Sequence, residues 1–285
     1  MAHILKGAPV ADALKAEASE IAKPLIERGL PPTLCLIRAN HDEAAISYER
    51  SLLKAASSLG FEAIQVTLSA SATEEDIIQA IEDANMDVGI DGIMVLAPLP
   101  AGVEADAVMK AIYPAKDIDG ASLLSLSGVF TGSHIGFAPA TAEAVIRILD
   151  FYDIPIEGKK AAVVGRSLIV GKPAAMLLLE RDATVTMCHS RTPDIADVLA
   201  DADIAVTAIG RPRFFTQEHF GSNPDCVVID VGVNVGEDGR LCGDVATQSV
   251  ESAINAITPV PGGVGAVVTA LLLLHCAIAA KSQRG

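Results

Sequence analysis

Short apolar runs alternating with stretches of helical periodicity constrain this chain more than any other feature. Runs of strand length are TLCLIRA (33–39), AIQVTL (63–68), GIMVLAP (92–98), AAVVG (161–165), TVTMCH (184–189), IAVTAIG (204–210) and CVVIDVG (226–232). Helical patterns fall at 10–28, 43–59, 74–84, 140–152, 172–181 and 195–199. A strand that is apolar along its whole length needs cover on both faces, and intervening helices supply it. The pattern therefore predicts an α/β protein with parallel sheets. Residues 120–139 (GASLLSLSGVFTGSHIGFAP) are rich in Gly and Ser, and a fresh strand–helix series starts near Lys159. That shift predicts two domains, residues 1–140 and residues 141–258, with the apolar C-terminal helix (259–285) returning to the first. Two-domain α/β enzymes commonly place their site in the cleft between domains.

Charge and cysteine usage narrow the function classes. The formal net charge is -15, which argues against nucleic acid or an anionic membrane surface as partner. An anionic small molecule stays open, since a few local cations suffice to bind it. The cysteines Cys35, Cys188, Cys226, Cys242 and Cys276 form no CxxC pair, so free thiols in a reducing cytoplasm are expected, with no metal centre. The N-terminal residues MAHILKGAPV lack the apolar core of a signal peptide. The run GAVVTALLLLHCAIAA (265–280) is shorter than the ~18–20 residues of a membrane span and contains His275, so it reads as a buried helix.

The stretch at 161–192 reads as strand, tight turn, helix and second strand. Its turn, GRSLIVG (165–171), is not GxGxxG, yet it has Gly165 where the strand ends and Gly171 where the helix begins. Pro173 suits a first helical turn, and amides at such a helix start favour phosphate. Alone, the turn fits a dinucleotide site and an ordinary strand–helix connection equally. The second strand ends in His189, Ser190, Arg191 and Thr192, with no acidic residue for ribose hydroxyls, and Arg166 sits in the turn before. Two guanidiniums and a hydroxyl suit a 2′-phosphate, so NADP is the expected cofactor.

The whole chain resembles the methylenetetrahydrofolate dehydrogenase/methenyltetrahydrofolate cyclohydrolase family. The likeness is carried by DGIMVLAPLP (91–100), PAKDIDG (114–120), VVGRSLIVGKP (163–173), TVTMCHSRT (184–192), VVIDVGVN (227–234), GDV (243–245) and TPVPGGVG (258–265). The resemblance implies a folate-binding catalytic domain, a Rossmann-type NAD(P)-binding domain, a folate cleft between them and a homodimer. The implied activity is oxidation of 5,10-methylenetetrahydrofolate, followed in most members by hydrolysis to 10-formyltetrahydrofolate. Implied cofactor residues are Gly165, Arg166, Ser167, Val170, Gly171, Ser190 and Arg191. Implied folate residues are Tyr48, Asp119, Pro261, Gly262 and Gly263, with Tyr48 and Asp119 the catalytic pair.

Two positions depart from the family where hydrolysis is concerned. The family's helical YxxxK pair is Tyr48 and Leu52 here, and the glutamine of its VQxPLP segment is Leu96. Lys54, six residues from Tyr48, lies about 240° round the helix, on another face. Hydride transfer needs positioning more than proton transfer, whereas hydrolysis must move protons through a tetrahedral intermediate, which leucine cannot assist. The expectation is a dehydrogenase with weak or absent cyclohydrolase activity. The alternatives are a fully bifunctional enzyme and a non-catalytic NADP/folate-binding paralogue. Further departures are PATA (139–142) for P-C-T-P, and Ala266, Val267 and Val268 for Pro-Met-Thr, which displaces or removes a hydroxyl.

Overall fold

The computed structural model describes residues 1–221 and 223–285. In chain order the strands are β1 (His3–Ile4), β2 (Thr33–Arg38), β3 (Glu62–Thr67), β4 (Gly92–Leu96), β5 (Lys160–Val164), β6 (Thr184–Cys188), β7 (Ile204–Thr207), β8 (Val227–Asp230), β9 (Asn234–Val235), β10 (Leu241–Cys242) and β11 (Ala256–Ile257). The helices are α1 (Gly7–Glu27), α2 (Glu43–Ser58), α3 (Glu74–Met86), α4 (Ala105–Lys110), α5 (Leu123–Thr131), α6 (Ala140–Phe151), α7 (Gly171–Glu180), α8 (Ile195–Ala200), α9 (Gln217–Phe220), α10 (Thr247–Val250) and α11 (Val264–Arg284). The chain forms two compact α/β units, one of Asp12–Ala140 with Thr269–Gly285, the other of Met1–Ala11 with Thr141–Val268.

The first unit is built on a parallel sheet of order β3-β2-β4. Every residue of β2 and β4 is buried, as a strand covered on both faces requires. Cys35, Ile37, Ile93 and Val95 meet Ile77 and Ile81 of α3, and burying side chains of this size contributes about 1.5–3 kcal/mol each. Thr73 and Asp76 form a reciprocal capping box that fixes where α3 begins. Helix α11 is long and apolar enough to cross a membrane by length and composition, but Ala270, Leu271, Leu272, Leu273, Leu274 and Cys276 are all 0% exposed in the protein core.

The second unit carries a parallel six-stranded sheet of order β1-β11-β8-β7-β5-β6. β5 has the next strand, β6, on one side and β7 on the other, so the loops after β5 and β7 diverge at a topological switch point. The first eleven residues belong to this unit rather than to the first, because β1 pairs with β11. Residues 120–139, read from composition as leading to a boundary at about residue 140, contain α5, and the chain passes from one unit to the other at Ala140–Thr141. Ser122 caps its start by accepting from the Ser125 amide at 3.2 Å, and Gly132 closes it in the left-handed region at φ 65°.

Candidate functional site

Helix α2 places Tyr48. Asp42 caps it by accepting from the Ala45 amide at 2.9 Å, and Ala45, Glu49, Leu52 and Ala56 form its buried face. Tyr48 flanks that face, half-buried, and its hydroxyl is hydrogen-bonded to the Thr269 side chain from α11. Burial, and then the nearby Asp119 charge, push the phenol up to about 12, while the bond to Thr269 works the other way. Tyr48 is therefore a protonated hydrogen-bonding group at neutral pH. Leu52, one turn on, is 0% exposed, and Lys54 is exposed on the helix.

Leu96 ends β4, buried, opposite Arg38 in the β2 register. Arg38 is buried too, and its Nε donates to Glu49 at 2.7 Å while Nη1 donates to the Asn40 carbonyl. Asn40 in turn donates to the Pro98 carbonyl at 2.9 Å. Thus Leu52 and Leu96 each adjoin one member of a buried ion pair. The second carboxylate oxygen of Glu49 is buried without a hydrogen-bond partner among the described residues.

Asp119 follows a short 3₁₀ turn at Pro114–Lys116. Its neighbour Asp117 is 0% exposed and accepts from the Ala121 and Ser122 amides and the Ser125 hydroxyl, so it serves the turn. Gly120 has φ +66°, and a Cβ there would meet the Ala138 carbonyl carbon at 2.4 Å, so only glycine fits. Asp119 itself is half-buried. Burial first, then the charge of Asp117, raise its carboxyl to about 7, and His275 of α11 opposes them.

In the second unit, Gly165 closes β5 with φ +134°, and a Cβ on it would lie 2.2 Å from the Ala208 carbonyl oxygen in the loop after β7. Gly171 opens α7 against Gly165, whose carbonyl oxygen would stand 2.2 Å from an added Cβ. The Ser167 hydroxyl accepts from the Val170 amide at 3.2 Å, shaping the helix start. Arg166, Ser167, Leu168 and Ile169 are exposed, and their amides have no protein acceptor among the described residues. At the end of β6, His189 Nδ1 accepts from the Arg191 amide at 3.1 Å and Thr192 Oγ1 from the His189 amide at 2.9 Å, a turn that displays Ser190 and Arg191 to solvent. Pro261 and Gly262 are exposed, and Gly263 is buried. Gly262 has φ +99°, and a Cβ on it would stand in open space, with no described atom within 4 Å.

Two family models match this chain: the catalytic domain of tetrahydrofolate dehydrogenase/cyclohydrolase over residues 5–119, and its NAD(P)-binding domain over residues 139–284. The chain belongs to the tetrahydrofolate dehydrogenase/cyclohydrolase family. It is 44% identical over 282 residues to the bifunctional protein FolD of Arthrobacter globiformis, covering 99% of this chain and 96% of that one. The bifunctional FolD methylenetetrahydrofolate dehydrogenase/cyclohydrolase of Campylobacter jejuni has a TM-score of 0.95 at 32% identity, over 99% of both chains. The Trypanosoma brucei methylenetetrahydrofolate dehydrogenase-cyclohydrolase, solved with NADP and an inhibitor, has a TM-score of 0.91 at 34% identity, over 100% of this chain and 99% of that one.

The structure sets Tyr48 within electrostatic reach of Asp119, with Leu52 one turn on from Tyr48 along α2. It also supplies residues that sequence reasoning passed over. Thr269 of α11, close after the segment where the family resemblance implies a threonine, bonds Tyr48. His275, noted in the sequence only as a polar residue in an apolar run, lies against the Asp119 turn. Arg38 and Glu49 gave no signal, because their pairing depends on how α2 packs on β2.

Proposed function

We propose that this member of the family is an NADP-dependent 5,10-methylenetetrahydrofolate dehydrogenase with weak or absent cyclohydrolase activity. The observation that carries the proposal is Leu52, wholly buried one turn from Tyr48 where the family has lysine, with buried Leu96 in place of the glutamine. The nitrogens flanking the reacting carbon supply the electrons that expel hydride, so oxidation to the methenyl product needs alignment and no side-chain base. Ionised Asp119 would accept hydrogen bonds from the amide and amino groups of the pterin, and Tyr48 would flank it. Pro261, Gly262 and Gly263 would offer close backbone approach to the folate. Hydrolysis also demands a group that takes a proton from water and returns one to nitrogen. Leucine does neither.

The loop after β5 fits a dinucleotide: it has open amides, and glycines where side chains would collide. Gly165, Ser167, Val170 and Gly171 would shape the pyrophosphate turn, while Arg166, Ser190 and Arg191 would hold the 2′-phosphate. Bound NADP supplies the hydride acceptor. The open outer edge of β6 is consistent with the homodimer that the family resemblance implies, and sedimentation equilibrium reads its mass directly.

The second reading, a fully bifunctional enzyme, draws on the identity to bifunctional relatives across nearly the whole chain. A spectrally resolved assay with 5,10-methylenetetrahydrofolate and NADP⁺, in a buffer where methenyl hydrolysis is slow, separates the readings. NADPH formation with methenyl accumulation is the expected result. Methenyl loss faster than in a protein-free control would establish bifunctionality. Binding of both ligands without turnover would point to a non-catalytic paralogue.

A further inference from the structure

We infer that His275 is a positioning residue for Asp119, holding the turn that carries this carboxylate in the orientation in which it accepts hydrogen bonds from a pterin. The inference rests on Asp119 as the pterin anchor. His275 stands on α11, only 2% exposed among the core leucines and alanines of that helix. An imidazole in such a place needs partners, and it has them. Its Nδ1 lies 2.7 Å from the carbonyl oxygen of Ile118, the residue immediately before Asp119. A carbonyl only accepts, so Nδ1 carries the proton and the tautomer is set. The ring also stacks on Phe137, with centroids 4.5 Å apart and planes 20° from parallel. Hydrogen bond and stack together lock the imidazole against the Asp119 turn.

Among the described residues, three ionisable groups interact electrostatically with Asp119: Asp117 from its own turn, Tyr48 from α2 and His275 from α11. Asp117 repels the Asp119 charge but is occupied with three donors of the turn. Tyr48 is neutral. His275 is the one group of the three whose charge favours an ionised Asp119. Lys116, the nearest lysine in sequence, is turned away, its ammonium donating to the carbonyls of Ala84, Asn85 and Asp87.

The test is the pH profile of KM and kcat for 5,10-methylenetetrahydrofolate in the natural protein and in His275→Phe, His275→Gln and Asp119→Asn. His275→Phe keeps the stack and removes both the Nδ1 donor and the group that favours an ionised Asp119. It should move the midpoint of the KM profile up by about one pH unit, raising KM about fivefold near pH 7, approaching tenfold at about pH 6 and changing it little in alkali. The kcat of hydride transfer should stay within about threefold and KM for NADP should be unchanged, since a lost positioning contact to the folate acts on binding. His275→Gln, which retains a donor, should recover part of the shift. An unmoved midpoint, or a uniform loss at every pH tracking a fall in melting temperature, overturns the inference. If Asp119→Asn itself leaves folate KM unaltered, the pterin-anchor reading fails first.

Discussion

A leucine at position 52 changes what the half-buried Tyr48 can do beside it. With its hydroxyl bonded to Thr269 and its ionisation pushed up to about 12, Tyr48 has no neighbour on α2 with which to exchange a proton. Restoring that neighbour is the direct check. Leu52→Lys combined with Leu96→Gln should raise methenyl hydrolysis at least about tenfold over the natural protein, while NADPH formation changes less than about threefold. Burying the new ammonium should cost about 2–4 kcal/mol, read by urea unfolding. No gain in hydrolysis would mean that the leucines are not what limits it. Asp119 makes a second, independent prediction. Its folded carboxyl titrates near 7 against an ordinary 3.8, so between those values the native state binds more protons than the unfolded chain. Stability attributable to Asp119 therefore falls as pH rises through that window and levels off above it. Asp119→Asn should remove this slope and leave the ligand-free protein about 2 kcal/mol more stable near pH 8, with roughly a third of that difference near pH 5 and little below about pH 3.5. Asp230, raised to about 6, adds a slope of the same sign in both proteins, so the difference between them isolates Asp119. Leu52, Leu96 and Asp119 were legible in the sequence because each sits inside a contiguous motif. His275 and Thr269 were not: the His275–Ile118 contact spans 157 residues, and local spacing carries no trace of it.

At the scale of elements, the long periodic segments were legible to within a few residues, and the short or compositionally mixed ones were not. β2 and β4 announce themselves as apolar runs because both faces are covered. β1 and β11 have two residues each, too few for any periodicity, and are held by pairing with neighbours rather than by their own sequence. In α5, serines and a glycine concealed a helix whose start depends on the Ser122 cap. The contact of α2 with β2 was equally hidden, since Arg38 looks like a strand-end surface charge and Glu49 like an exposed helical one. Both are buried and paired. Removing one partner leaves an uncompensated charge inside the protein, so Arg38→Leu should destabilise by about 3–5 kcal/mol. The double variant Arg38→Leu/Glu49→Leu should recover to within about 1 kcal/mol of the natural protein, or exceed it. Urea unfolding of the four members of this cycle measures the coupling. A double variant as unstable as the single would show that Arg38 acts through packing or its bond to the Asn40 carbonyl, not through Glu49.

At the scale of the whole molecule, two ligand sites of opposite demand share one chain of net charge -15. NADP is strongly anionic, and the summed field of the protein repels it; binding requires that local cations outweigh that field. Arg166 and Arg191 are exposed at the loops after β5 and β6, and neither makes an ion pair within the protein among the described residues. They are therefore available to a phosphate. The balance fixes the sign of a salt effect. In the natural protein local attraction dominates, so raising ionic strength across the range where the Debye length shrinks from about 30 to about 8 Å should raise KM for NADP. With Arg166→Ser and Arg191→Ser together, the repulsive field should outweigh the attraction left at the loop, from Lys172 and the open amides. KM for NADP should then rise at least about thirtyfold at low salt while KM for NAD changes less than about threefold, the loss of two charge-assisted contacts to the 2′-phosphate. Added salt should now lower the KM for NADP, reversing the natural trend, because the repulsion it screens outweighs the remaining attraction. Equal losses for NADP and NAD, or a salt dependence of unchanged sign, would show that these arginines do not read the 2′-phosphate and that the cofactor is held by the backbone of the β5 loop.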